Sequence, residues 1–212
     1  MELMQKPIVI SDVFIEIGES IEAGYILSEL WEQYLMANQV LKNYGYEDLD
    51  LVIDEKKFHL AVSPLLQKNI LASYLDRNEV LYSLDLENLK SAIAEYLALI
   101  EENYIVIKRS HIAMAGGLTE GYILSHLDEL KRKVEHWQIQ SCYCHPPRRE
   151  FSIHIPPDVF FPAIDRLADK CLIAKLADND REEECYTLRH SAEPITANTI
   201  ADAPEAIESS GG

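Results

Sequence analysis

The sequence predicts an α+β chain built as two tandem copies of one unit, on three observations. The pentapeptide GYILS stands at residues 24–28 and again at 121–125. Laid over one another 97 positions apart, Ile8–Leu30 (IVISDVFIEIGESIEAGYILSEL) and Ile105–Leu127 (IVIKRSHIAMAGGLTEGYILSHL) match without a gap, with Ile15 on Ile112 and Leu30 on Leu127. Short β-branched runs also alternate with stretches of helical period, the pattern of mixed strand and helix. Two unrelated amphipathic helices would share Ile-Leu but not the whole register.

Each unit opens on a β-branched strand, Ile8-Val9-Ile10 in the first and Tyr104–Ile107 in the second. A long helix follows. In the first unit Ser20 is the expected N-cap, Ile26, Leu27, Leu30, Tyr34 and Leu35 fall at helical spacing, and Asn43–Gly45 ends the helix. In the second, Gly117 or Thr119 starts it, and Ile123, Leu127, Leu130, Val134 and Trp137 form the apolar stripe. A hairpin is expected next. Leu51-Val52-Ile53 turns through Asp54–Lys57 into Phe58–Val62, paralleled by Gln138–Cys144 turning through HPPRR into Phe151–Ile155, 93 positions from Phe58. Pro64 and Pro157 then each open a helix, since proline suits a first helical turn. Beyond this the units are expected to diverge. The first runs into a helix with Leu89, Ile93, Tyr96, Leu97 and Ile100 on one face. The second runs through Cys171–Lys175, an acidic turn and Cys185–Leu188 as strand, turn, strand. The expected organisation is a first unit at 1–84, a connecting helix at 85–103, a second unit at 104–190, and a small-residue, acidic tail at 191–212 that reads as disordered or loosely docked.

The passage AIDRLADKCLIAKL (163–176) followed by Tyr186-Thr187-Leu188 resembles the passage from recognition helix to wing in winged-helix domains of phage and plasmid replication proteins and small bacterial regulators. The strand and GYILS helix opening each unit resemble the first elements of the same proteins. The resemblance implies two tandem winged-helix-like units (strand, long helix, β-hairpin, helix) joined by a helix, and by family a DNA-binding role. The residues depart from that role. The helix PDVFFPAIDRLADK carries Asp158, Asp165 and Asp169 against Arg166 and Lys170, and Pro162 removes a donor inside it. Pro156-Pro157 leave little room for a helix bracing it across a groove. The expected wing, with Asp178, Asp180, Glu182, Glu183 and Glu184, would be repelled by phosphates. The frame is expected to survive with its DNA-reading surface lost or reversed.

Composition points the same way. The 212 residues carry a net charge of −17, distributed over both halves. Phosphate-tracking proteins draw affinity from Lys and Arg through counterion release, so general nucleic-acid affinity is not expected. No apolar run approaches the ~20 residues of a membrane span, and MELMQKPIVISDVF lacks the form of a secretory signal, so a cytoplasmic protein with no membrane partner is expected. One cluster opposes the trend. Lys108, Arg109, Lys131, Arg132, Lys133, Arg148 and Arg149 lie within residues 105–150, where the first unit has Ser11-Asp12 in place of Lys108-Arg109. It reads either as a contact surface for nucleic acid or an acidic protein, or as an ordinary solvated helix face.

No metal or cofactor is expected. Cys142-Tyr143-Cys144-His145 departs from the paired-cysteine spacing that zinc favours, and alternate cysteines share one face of a strand. Ala115-Gly116-Gly117-Leu118 has neither the phosphate-loop lysine nor dinucleotide spacing, and no nucleophile elbow occurs. Tyr25, Trp31, Tyr34, Tyr122 and Trp137 read as core or as an interface between units or chains. The expected function is a non-enzymatic acidic module that binds a basic protein or nucleic-acid-binding complex, in its most concrete form a phage-type inhibitor of the DNA-mimic or anti-CRISPR kind. The alternative is a DNA-binding regulator or replication accessory protein, acting as a homodimer through the basic cluster. A third class is an assembly protein whose tandem units bury surface on each other.

Overall fold

Ile8, Val9 and Ile10 are β-branched and too few to form a sheet among themselves, so their ladder must be closed by a distant strand. In the computed structural model, which describes residues 6–77, 79–98, 103–137, 155–177 and 184–188, β1 (Ile8–Ser11) pairs antiparallel with β4 (Tyr104–Ile107). Val9 faces Val106, the residue 97 positions on, while Ile8 faces Ile107 and Ile10 faces Ile105. The pair therefore has an approximate two-fold axis between Val9 and Val106. Ile8, Ile10, Ile105 and Ile107 are buried on one face, and Val9 and Val106 are about half exposed on the other. The buried residues of both halves form one continuous core.

Each half follows the same order. In the first, β1 leads to α1 (Asp12–Gly18), α2 (Ile21–Met36), α3 (Glu55–Gln67) and the hairpin β2 (Leu71–Asp76) and β3 (Glu79–Leu84). In the second, β4 leads to α5 (Arg109–Ala115), α6 (Leu118–Trp137), α7 (Pro157–Asp169) and the hairpin β5 (Ile173–Ala177) and β6 (Glu184–Leu188). Between the halves lies α4 (Leu86–Leu97). The fold is α+β.

GYILS marks where the first two helices of each half cross. Gly24 lies so close to Ile15 that a Cβ would stand 2.9 Å from the Ile15 backbone, and at Gly121 it would stand 3.0 Å from the Ile112 Cα. Only glycine lets the helices approach this closely. The serine ending the motif turns back on the glycine carbonyl, Ser28 Oγ to Gly24 at 2.9 Å and Ser125 Oγ to Gly121 at 2.8 Å. Tyr25 and Tyr122 are buried, and desolvation, with Glu29 second, pushes the Tyr25 phenol up to about 12. The turn between each helix pair is left-handed, at Glu19 (φ 60°) and Gly116 (φ 84°), and Ser20 caps α2 by accepting from the Ala23 amide at 3.1 Å.

Several sequence expectations are corrected. Phe58–Val62 is not a strand. Asp54 accepts from the Lys57 amide at 2.9 Å and opens α3, whose buried Phe58, Ala61, Val62 and Leu65 follow helical spacing. The β-branched and aromatic content of the segment suggested strand; the i, i+3, i+4, i+7 burial wins. Pro64 does not start a helix but sits within α3, where the carbonyl it leaves unbonded is that of Leu60, on the exposed side. The matching segment is not Phe151–Ile155 but α7, 102 positions on, where Phe160, Ala163, Ile164 and Leu167 are buried in the same pattern. The left-handed residues after these helices, Asn69 and Cys171, stand at the same separation. The halves therefore do not diverge after this point, since each continues into a hairpin.

The first long helix does start at its Ser20 cap, but α2 ends at Met36 rather than near Asn43 and leaves Leu35 exposed, and a short helix, α1, precedes it where none was expected. A helix does precede and pack on α7, namely α6, as α2 precedes and packs on α3. Leu86 does open a helix as expected, yet α4 packs along α1 with Leu89 fully buried, and Asn103 is in no helix but exchanges hydrogen bonds with Asp12. The expected strands Gln138–Cys144 and Phe151–His154, and the tail 191–212, lie outside the described residues.

Candidate interaction surfaces

α7 opens with Pro157, and Asp158 in its first turn favours the positive end of the helix. With Phe160, Ala163, Ile164 and Leu167 turned to the core, the outward face carries Asp158, Val159, Phe161, Pro162, Asp165 and Asp169, all exposed. The two cations of this segment are drawn toward the body of the protein. Arg166 donates through Nε and a terminal nitrogen, each at 2.6 Å, to the carboxylate of Glu120, a buried residue in the first turn of α6. Lys170 Nζ donates to the Ala115 carbonyl at the end of α5. The first half repeats that device, with Lys68 Nζ on the Ile17 carbonyl at 2.8 Å and on Glu19 at 2.7 Å. Nothing in periodicity or charge pattern signals these links; the register of Lys68 against Lys170 would have found them.

The outward face of α3 differs. It carries Glu55, Lys56, His59, Leu60, Ser63 and Gln67, and His59 Nδ1 lies 3.2 Å from the Tyr82 hydroxyl.

The expected basic cluster is divided by the structure. Lys108, just before α5, is ion-paired with Asp128 of α6, and Arg132 Nε approaches the same carboxylate at 3.6 Å. Burial alone would raise the Asp128 carboxyl, but the Lys108 hydrogen bond and charge, with Arg132, outweigh it and hold Asp128 below its ordinary value. Arg109 opens α5 and donates to the Lys6 carbonyl at 3.2 Å. Lys131 and Lys133 lie on α6, and Arg148 and Arg149 fall outside the described residues.

Behind Lys108 a network gathers on Ser125. Its hydroxyl donates to Gly121, accepts from the Lys108 amide at 3.0 Å, and lies 3.0 Å from His111 Nδ1. With the hydroxyl proton already directed at Gly121, His111 Nδ1 serves as the donor. Burial, then the Lys108 charge, lowers the His111 pKa. Beside the network is a groove of about 180 Å³ lined by His111, Met114, Leu124, Asp128, Lys131, Leu172 and Leu188. In the first half the positions of His111, Asp128 and Lys131 are held by Phe14, Trp31 and Tyr34, whose rings pack with centroids 6.4 Å and 5.4 Å apart.

Of the expected acidic wing, Glu184 opens β6 opposite Ala177, while Asp178, Asp180, Glu182 and Glu183 lie outside the described residues. So do Cys142, Cys144 and His145; Cys171 is exposed on the turn after α7. Among the described residues no group of His, Cys, Asp and Glu is arranged to hold a metal, and no helix is long and apolar enough to cross a membrane.

Comparison with protein-family models, with curated proteins and with solved structures finds no match to this chain.

Proposed function

We propose that the chain is a non-enzymatic acidic module, a duplicated winged-helix-like unit that binds a basic protein surface, most concretely as a phage-type inhibitor that occupies the nucleic-acid channel of a DNA-binding complex. The observation that carries this reading is the outward face of α7. On the winged-helix reading this helix takes the DNA-reading part, and its cations Arg166 and Lys170 turn instead to Glu120 and Ala115. Asp158, Asp165 and Asp169 remain outward with Val159 and Phe161. Carboxylates in that place repel phosphate, whereas carboxylates flanking two apolar side chains suit a partner with lysine or arginine around an apolar patch. The net charge of −17 adds steering toward such a partner. Affinity purification from the native host, comparing the wild-type chain with Asp158→Lys/Asp169→Lys, tests the reading. The expected result is a nucleic-acid-binding partner that loses its DNA to the wild type and keeps it against the variant. Equal retention and equal displacement by both chains would sink it.

A rival reading, a DNA-binding regulator or replication accessory protein, draws on the order of three helices and a hairpin in each half about an approximate two-fold axis. It needs the basic cluster, of which Lys108 and Arg132 already share Asp128. A salt-sensitive gel shift abolished by charge reversal at Lys131 and Lys133 would support it, and no shift at low salt would remove it.

A further inference from the structure

The hairpin of the first half has one closed edge and one open edge. Tyr44 bridges β3, exchanging two main-chain hydrogen bonds of 2.8 Å with Tyr82. That bridge also fixes the phase of the ladder. Tyr82 directs its main chain away from β2, so Tyr82 and its partner Ser73 are a non-hydrogen-bonded pair, and the Ser73 amide and carbonyl point away from β3. Ile70, three residues before Ser73, accepts from the Asp85 amide at 2.9 Å, which gives the same phase. The main chain of Leu75, two residues on, therefore faces outward as well. Among the described residues no group bonds the main chain of Ser73 or Leu75 on that side. The open stretch is bounded by Leu71, which is buried, and by Arg77, which leaves the strand with a left-handed φ of 47°. Between them Ser73, Tyr74 and Leu75 are exposed, Leu75 to 75%. The stretch carries neither the lysine nor the proline that commonly guards an exposed edge. In the second half the register is the same, and β5 has Lys175 opposite Tyr186 where β2 has Ser73 opposite Tyr82.

We infer that the open edge of β2 pairs with the same edge of a second copy of this chain, joining two hairpins into one four-stranded antiparallel sheet. With Leu71 and Arg77 unable to take part, one register uses every outward group. Ser73 lies opposite the partner's Leu75 and Leu75 opposite the partner's Ser73, giving four main-chain hydrogen bonds about a two-fold axis at Tyr74. Tyr74 then meets the partner's Tyr74 at the non-hydrogen-bonded position, where cross-strand side chains come closest. Asp76 falls opposite the partner's Ala72, so no carboxylate faces another across the junction even though each chain carries −17. The outer strands of the joined sheet are both β3, each already bridged by Tyr44, so pairing ends at two copies instead of running on into a fibre. A contact this short falls below the ~1,200 Å² of a standard interface, which makes the dimer weak. Salt sets it apart from capture of a basic surface: screening loosens a contact between opposite charges and tightens one between two acidic chains.

The test is sedimentation equilibrium of the full chain over a wide range of concentration, at low and at high salt. A monomer–dimer equilibrium that tightens with salt is expected, with no larger species. Ser73→Pro removes only the outward amide, a change that an edge strand accepts, and should weaken the dimer about tenfold or more with little change in the unfolding midpoint. Ser73→Lys copies the second half and should act the same way, which keeps the test decisive where the proline variant fails to fold. Tyr74→Lys and Tyr74→Glu should each be monomeric, and an equal mixture of the two should dimerise, because the register sets one Tyr74 against the other. A chain that stays monomeric at every concentration and salt overturns the inference, as does a dimer that loosens with salt. So do assembly beyond two copies, a dimer indifferent to Ser73→Lys, and failure of the mixed Tyr74 variants to associate.

Discussion

At one place in the two halves the same backbone carries opposite chemistry. Phe14, Trp31 and Tyr34 fill it with rings in the first half, and His111, Asp128 and Lys131, with Lys108 beside them, fill it with charge in the second. Around both, the frame is held constant by the glycine crossing, the serine turned onto the glycine carbonyl, and the lysine that ties the third helix to the end of the first. Aromatic rings pack this place in the first half, while in the second His111, Asp128 and Lys131 line a groove of about 180 Å³. The frame is therefore a matter of close approach and backbone satisfaction, and the difference in surface follows from a handful of side chains that the frame tolerates.

The comparison breaks most readily at the crossings. Gly24→Ala and Gly121→Ala each place a methyl about 3 Å from an isoleucine backbone, and each should destabilise by about 3 kcal/mol in denaturant unfolding. Equal losses support equivalent crossings, and a loss confined to one half would show that its partner can slide apart. The serines should separate the halves. Ser125 serves Gly121, Lys108 and His111, whereas the bond found at Ser28 is to Gly24, so Ser125→Ala should cost about 1.5 kcal/mol and Ser28→Ala about 0.5 kcal/mol.

His111→Phe installs the residue of the first half and should change pH dependence more than stability. Because the folded His111 pKa is lowered, the unfolded chain binds a proton first as pH falls through about 6.5, and stability declines below that point. The variant should flatten the change in unfolding midpoint between pH 7.5 and pH 5 (on the order of the imidazole range). Asp128, whose pKa is depressed, acts in a different window. Its contribution is full above the ordinary carboxylate value and is lost as pH falls through the lower folded value, so Asp128→Asn should alter the acid limb and, because the Asp128 charge holds the His111 pKa up, lower the His111 pKa further. As small as the Ser28 change, Lys68→Met and Lys170→Met should each lower stability by about 0.5 kcal/mol, because both ammonium groups remain partly in water.

The sequence made the opening of each half legible, because an ungapped register of Ile-Val-Ile and GYILS carries strand, cap and crossing together. It misled at Phe58–Val62, where alternating large and small residues satisfy a strand and a helix alike until burial decides between them. The match of Phe58 to Phe160 was hidden because α6 is four residues longer than α2 and the segment after it is one residue longer than 37–54, which together shift the register from 97 to 102. The short helices α1 and α5 were hidden for another reason: at this length periodicity has too few turns to register, and the left-handed residue ending α1 is a glutamate rather than a glycine. Of the candidate surfaces, charge on α7 could be counted in the sequence, but not which way it pointed. Arg166 and Lys170 look like balancing cations until Glu120 and Ala115, elements away, are seen to engage them.

The pairing of β1 with β4 bears on the order in which the chain can fold. Ile8 finds its partner at Ile107, so the nascent first half must leave the β1 ladder unpaired until residue 107 has left the ribosome. Synthesis at about 5–20 residues per second makes that a wait of several seconds, during which an unpaired apolar strand edge is open to other chains. Once the clasp closes, neither half can release its strand without exposing the other's, and thermal unfolding should proceed as a single transition in which the halves melt together.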